Sequence, residues 1–451
     1  MRIGCDVTDT GLELRLDERH FSVHYPRDVW QAFPHREAFA DNFAFLKTLH
    51  LPWMLHQTMA LDYETSLPLF RHNIFMAMMN NISFCADVDG ISTADELQRF
   101  MAQEISFANH RTRTPVGSKP LTERAVVNMS LGKDSLLTYA IAKELGLEPV
   151  LYISVDNDCP REYAYKADIA ARFSAEFGET VQVVENNTGV IHRFEYWGTP
   201  YTEWGFGHLI TEYAMHAMPF AYANDARYIL LGNEKSCDDT YVNRDGFKAW
   251  PVYDQSSEWG LELANIARGL TASPMTVMSL IEPLHDLAII KILHTRYPEV
   301  AKYQMSCFPD ENDYGKNAHW CGHCTKCARN FVFMKANGLD PRRVGLNTDM
   351  FQSECLDYFA LLRGAKKGIP TVGYDATPCG RDEQLFALYL AHERGATGPV
   401  MEVFEATFLP EARQRRDELH ERFLTVQPAR TILAPLLDPV IKLYAQALRE
   451  N

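Results

Sequence analysis

The chain has no run of about 18 apolar residues, the length a membrane-spanning helix needs. Its first residues, Met1-Arg2-Ile3-Gly4-Cys5-Asp6, lack the apolar core of a secretory leader. These two absences make a cytoplasmic location the expectation. Positive charge is also scarce. Lys and Arg total 44 against 59 Asp and Glu, for a formal net charge of −15. Coating nucleic acid requires a basic surface that neutralises phosphates, so nucleic acid is an unlikely partner. There is no internal repeat and no low-complexity tract. What remains is ordinary for a globular chain of 451 residues, with 46% hydrophobic and 23% charged side chains, enough for two or three cores.

One stretch organises the rest, Val126-Val127-Asn128-Met129-Ser130-Leu131-Gly132-Lys133-Asp134-Ser135-Leu136-Leu137. A short β-branched run leads into a polar turn, and Leu136, Leu137, Ile141 and Leu145 then recur at helical spacing. A strand that turns straight into a helix presents unpaired N–H groups and the positive end of the helix dipole, which is an anion site. Gly132 allows backbone to approach an anion, Ser130 and Ser135 offer hydroxyls, and Lys133 offers charge. The first glycine of a Walker A loop is missing. An ordinary strand-to-helix turn capped by Ser or Asp is the plainer alternative.

Around this stretch the pattern divides in three. Residues 1–120 read as a hairpin, Leu12–Leu16 against His20–Tyr25, followed by a mostly helical segment. Residues 121–340 alternate strands (125–129, 149–155, 180–185, 228–231) with helices (134–145, 161–176, near 207–224). That alternation predicts a parallel, doubly wound α/β sheet. Ligands bind at the carboxyl ends of such strands, where the 130–135 loop, Asp156 and Gly232-Asn233-Glu234 all fall. Residues 341–451 read as two to four further helices.

A second signal is Cys307 with Cys321-Gly322-His323-Cys324-Thr325-Lys326-Cys327. Two-residue spacing lets a tight turn aim thiolates at one metal, and Cys307 closes a structural Zn²⁺ site. His323 is the other candidate fourth ligand, and iron–sulfur ligation is the minor alternative. Gly232-Asn233-Glu234-Lys235-Ser236 supplies ligands for a polar substrate or Mg²⁺, against the plain reading of a polar turn. In Tyr253–Trp259, Ser256 and Glu258 fit either a cleft lining or a helix cap. Asp286 opens a helix and could simply serve its dipole.

The 130–135 stretch resembles the PP-loop of the ATP pyrophosphatase superfamily, Ser-Gly-Gly-x-Asp-Ser, with Leu131 where the first Gly is usual. The order of PP-loop, Gly-Asn-Glu-x-Ser turn and Cys-x2-Cys-x2-Cys cluster is similar to the branch holding cyano-deazaguanine synthase and the muramoyl-peptide glutamate epimerase, over residues 121–340. The resemblance implies a Rossmann-like fold of the HUP type, with ATP, Mg²⁺ and Zn²⁺ as cofactors. It also implies adenylation of a small-molecule or peptide carboxylate with release of pyrophosphate. Amidation, conjugation or epimerisation would follow, and a protein substrate and a homodimer stay open. Ser130, Gly132, Asp134 and Ser135 match the positions that hold pyrophosphate. Lys133, Asp134 and Ser135 become the catalytic candidates. The nucleotide site comprises Ser130, Leu131, Gly132, Lys133, Asp134, Ser135, Asp156, Gly232, Asn233, Glu234 and Ser236. The competing readings are a sulfur transferase acting on RNA or a nucleobase, for which Cys237 is the candidate cysteine, and a non-catalytic nucleotide-binding module.

Overall fold

The computed structural model describes residues 1–156, 160–200, 202–206, 208–305, 320–363 and 373–449. Its strands are β1 (Arg2–Val7), β2 (Gly11–Leu16), β3 (Arg19–His24), β4 (Leu61–Ser66), β5 (Ile105–Asn109) and β6 (Thr122–Asn128). They continue with β7 (Glu148–Asp156), β8 (Val181–Asn186), β9 (Ala226–Leu230), β10 (Tyr241–Val242), β11 (Lys248–Ala249) and β12 (Thr276–Met278). All but β10 and β11 join one ten-stranded sheet in the order β12-β9-β6-β7-β8-β3-β2-β1-β4-β5. Its pairings are mostly parallel, with antiparallel joints at β8–β3, β3–β2 and β2–β1.

The five strands β12-β9-β6-β7-β8 are wholly parallel. Their order reverses between β6 and β9, which opens a crevice beyond the carboxyl ends of those two strands. Side chains alternate between two cores, as the pleat requires. Val126, Tyr152, Ile229 and Val277 enter one core. Val127, Leu151, Leu230 and Met278 enter the other. The first core is covered by helices Leu209–Ala223 and Ser257–Thr271. The second is covered by Lys133–Glu144, Asp286–Arg296 and the last helix, Ala434–Arg449.

The hairpin expected near the start is β2 and β3, and it docks on the free edge of β8 through Val23–Asn186 and His24–Glu185. The segment read as mostly helical also contains β4 and β5, parallel to β1 and to each other. Alternating Leu61 and Tyr63 point inward on β4, but two short strands flanked by long Met- and aromatic-rich helices leave little periodicity to read. Beyond residue 320 a third core of helices forms around Phe331, Phe351, Leu388 and Phe404. Among the described residues no helix is long and apolar enough to cross a membrane.

Candidate functional site

Met129 to Gly132 carry the chain from β6 into helix Lys133–Glu144, and Gly132 is the N-cap, with no side-chain cap upon it. Ser130 is exposed and donates to Ser135 Oγ at 3.3 Å, while Ser135 Oγ donates to the Gly132 carbonyl at 3.1 Å. Leu131 takes the left-handed backbone conformation, φ +62°. That conformation explains why glycine suits the position, since any Cβ is strained there. The Leu131 side chain is fully buried in the core under the sheet, and its carbonyl accepts from Met305 N at 2.9 Å. Leu131→Gly would relieve about 1 kcal/mol of backbone strain but forfeit about 2–5 kcal/mol of core packing. The expected result is a chain about 2 kcal/mol less stable in denaturant titration. Equal or greater stability would show that the leucine does not anchor the loop.

The Gly232-Asn233-Glu234 turn leaves β9 and meets this loop directly. A Cβ on Gly232 would stand 2.8 Å from Asp134 Cβ, so only glycine lets the two segments touch. Asn233 is buried, and its Oδ1 has no hydrogen-bond partner among the described residues. Glu234 and Asp286 are buried beside the partly exposed Asp134, with ligating oxygens of the three all within 4.8 Å of one another. Lys133 Nζ lies among them, 2.7 Å from Asp134 Oδ1, 3.1 Å from Glu234 Oε2 and 2.5 Å from Asp286 Oδ1. The approach to Asp286 is an ion pair without hydrogen-bond geometry. Arg329 adds a second cation, 3.4 Å from Asp286 and 3.5 Å from Asp375.

Burial works against charge on Lys133, yet Asp134, Asp286 and Glu234 together hold its ammonium well above the usual lysine range. Burial, then Asp134 and Asp286, push Glu234 well above the carboxylate range, so it retains a proton. Burial would raise Asp286 as well, but Lys133 and Arg329 outweigh it and keep that carboxylate charged. Two cations, Lys133 and Arg329, thus stand against the carboxylates of Asp134 and Asp286, and the trio presents hard oxygen donors of the kind Mg²⁺ takes.

The helical region beyond residue 373 reaches into this site. Glu383 accepts from Leu287 N at 2.9 Å and from Tyr374 Oη at 2.7 Å, and it receives Ser236 Oγ at 3.5 Å. Ser236 in turn accepts from Asp286 N at 3.1 Å. Burial, followed by Asp286, pushes Glu383 up to about 8 from an ordinary 4.5. An acid raised in the folded state binds one proton more than the unfolded chain between those values, so its contribution to stability is lost as pH rises through about 8. Glu383→Gln mimics the protonated form. It should match the wild type near pH 5 and exceed it above pH 8 by up to about 4 kcal/mol. Parallel denaturation curves at both pH values would refute this.

Asp156 ends β7 on the side of β6 away from β9, outside the carboxylate trio, with Arg193 Nη2 at 3.3 Å. A Cβ at Gly189 would overlap Asp156 Oδ2, so the following turn is built around that carboxylate. Cys237 is buried, its Sγ 3.6 Å from Glu234 Oε1, and burial followed by Glu234 pushes its thiol well up. Ser256 is a helix cap, accepting from Trp259 N at 3.1 Å.

Cys321, Cys324 and Cys327 converge in the third core, with ligating sulfurs within 4.8 Å of one another. Cys321 and Cys327 Sγ are 3.7 Å apart, far beyond the ~2.05 Å of a disulfide. Backbone N–H groups of Gly322, His323 and Cys327 point at the sulfurs, as they do around metal-bound thiolates, and Gly322 makes the turn with φ +74°. His323 is exposed, with Nδ1 2.8 Å from the Cys321 carbonyl. Cys307 lies outside the described residues.

Sequence reasoning placed the 130–135 loop and the 232–236 turn, and the structure brings them together. Asp286 had been read as a dipole partner, and Arg329, Asp375, Tyr374 and Glu383 carried no local signal. No family model matches the chain, and no curated protein matches it.

Proposed function

We propose that this chain is an ATP-dependent enzyme of the PP-loop, HUP-type class, which adenylates a substrate carboxylate and releases pyrophosphate. The observation that carries the reading is the meeting of an uncapped helix N-terminus with the Asp134–Glu234–Asp286 trio at the point where the strand order reverses. That strand order also supports the doubly wound reading. A triphosphate lying along the loop would face the N–H groups of Gly132 to Ser135, with Ser130 and Ser135 hydroxyls beside them. Asp134, backed by Glu234 and Asp286, would hold Mg²⁺, which neutralises phosphate charge when bound. A substrate carboxylate oxygen attacks the α-phosphorus, the bond to the bridging oxygen breaks, and pyrophosphate leaves with the electron pair. Ammonia, an amine or water then attacks the acyl carbon and AMP leaves with the electron pair; in the epimerising outcome the α-carbon loses and regains a proton before water attacks. Lys133 is locked among three carboxylates, so its part is to hold them in place. Asn233 Oδ1, next to Glu234, is a buried acceptor with no hydrogen-bond partner among the described residues.

The sulfur-transfer alternative needs an accessible thiolate. The burial of Cys237 and its upward-shifted thiol speak against it.

The test is pyrophosphate release from ATP over a panel of carboxylates, with and without ammonia, including carboxy-deazaguanine and a muramoyl-Ala-Glu nucleotide. Release with one acid, and AMP in equal amount, is the expected result. ATP binding with no release across the panel, or labelled sulfur appearing in product, would overturn it.

Cys321, Cys324 and Cys327, with Cys307 as fourth ligand, would hold a structural Zn²⁺. Cys324→Ser removes a ligand but keeps a hydroxyl able to cap helix Thr325–Ala336, where the Cys324 sulfur accepts from Cys327 N. It should lose one equivalent of zinc and melt well below the wild type, since structural zinc contributes on the order of 10 kcal/mol to small sites. Unchanged metal content would remove the zinc assignment.

A further inference from the structure

A second cluster lies away from the loop, where the hairpin joins the parallel half of the sheet. His50 follows helix Arg36–Thr48, His192 ends the turn after β8, and His208 precedes helix Leu209–Ala223. The three rings are buried and form a near-equilateral triangle, with centroids 4.8, 4.5 and 4.6 Å apart. One ligating nitrogen from each lies within 4.8 Å of the others. Three imidazoles around one ion at 2.0–2.1 Å would put ring centres roughly 5 Å apart.

The hydrogen bonding is incomplete in a specific way. Both nitrogens of His50, both of His208 and Nδ1 of His192 are buried with no hydrogen-bond partner among the described residues. The Ile191 carbonyl lies beside His50 and favours a proton on that ring. Nε2 of His192 is occupied, with Lys47 Nζ at 2.5 Å and Glu212 Oε2 at 3.5 Å. Lys47 and Glu212 form their own ion pair at 2.6 Å. Buried polar atoms are rarely left unpaired. A cation would use one lone pair from each ring, three of these five nitrogens, and the second nitrogen of His50 has the Ile191 carbonyl beside it.

We propose that His50, His192 and His208 form a buried site for a divalent transition-metal ion of the zinc type, which staples the N-terminal strands to the parallel sheet. Imidazole donors select this class over Mg²⁺ or Ca²⁺. His192 ligates through Nδ1. Its proton moves to Nε2 and is donated to Glu212, which requires the Lys47 ammonium, now 2.5 Å from Nε2, to turn wholly onto that carboxylate. This is a change of tautomer with no net proton release at His192. Burial first, and then the neighbouring rings and Lys47, keep all three histidines neutral at pH 7, the form that binds metal. A tetrahedral shell has room for one further ligand.

The experiment uses the full chain, stripped with chelator, dialysed against zinc, and read by metal content and zinc X-ray absorption. The wild type should hold one equivalent beyond the thiolate-bound zinc and show a nitrogen shell near 2.0 Å. His50→Gln/His208→Gln should lose that equivalent and the nitrogen shell while keeping the sulfur shell, which also reports that the variant is folded. Cys324→Ser should show the converse. A sulfur-only spectrum in the wild type, or a nitrogen shell unchanged in the double variant, overturns the proposal. If the double variant does not fold, the wild-type metal content decides, two equivalents supporting the site and one overturning it.

Discussion

Asp134→Ala is expected to reduce pyrophosphate release by at least about a thousandfold while leaving the fold nearly intact. The expectation rests on where the side chain sits. Asp134 is the most exposed member of the carboxylate trio, with 30% of its side chain exposed against 9% for Glu234 and 0% for Asp286. It stands in the first turn of the helix proposed to receive the phosphates and packs against Gly232. Removing one preorganised electrostatic group at a reacting centre typically costs a factor of about 10²–10³, and losing a metal ligand costs more. Stability should move little, because Lys133 keeps the Asp286 carboxylate at 2.5 Å and the Glu234 carboxyl at 3.1 Å, and the side chain removed is a partly hydrated one. The pair of readouts is what makes the result informative. Lost turnover with an unchanged melting temperature places Asp134 in the chemistry. Retained turnover would sink the adenylation reading, and lost turnover with a collapsed melting temperature would assign Asp134 to structure.

Lys133→Met should do the opposite, destabilising the chain by about 3–5 kcal/mol, the usual cost of removing one partner from a buried ion network. Its ammonium is the closest cation to three carboxylates, and Met fills similar volume without charge. Arg329 cannot compensate, since it is shared between Asp286 and Asp375. The pH dependence gives the mechanism its signature. In the wild type Asp286 is held below its ordinary value, so its contribution is present at neutral pH and is lost as pH falls into the acid range. In the variant the same carboxylate has lost its main partner, so burial raises it, and stability is lost as pH rises. The deficit of Lys133→Met should therefore shrink between pH 7 and pH 5. A deficit that is constant with pH would mean that packing, and not charge, is what Lys133 supplies.

Local patterns carried much of this protein. The Ser130–Ser135 loop, the Gly232–Ser236 turn and the Cys321–Cys327 cluster each lie within a few residues, and each depends on backbone geometry that short-range chemistry dictates. A strand feeding a helix, a glycine where backbones touch and a two-residue cysteine spacing are readable because the interacting groups are neighbours along the chain. The strands of the parallel half fall where periodicity places them, 122–128 against an expected 125–129 and 148–156 against 149–155. The two strands at 61–66 and 105–109 are not legible locally, because each is short and set among helices whose apolar residues mask an alternating pattern.

The amino-acid sequence by itself determined the strand-to-helix loop at 130–135, the close cysteine spacing and the alternation that builds a parallel sheet, since each is a matter of residues adjacent in the chain. Only the tertiary structure decided what surrounds them. Asp286 left the role of a helix-dipole acid and became the third carboxylate on Lys133, because β12 pairs with β9 and carries the next helix to the loop. Glu383 reached Ser236 from 147 residues away, and His50, His192 and His208 met across the joint between the hairpin and the sheet. No spacing rule foretells such meetings. They follow from which strand edges pair and which apolar faces are buried together, and those choices are settled only when the whole chain packs at once.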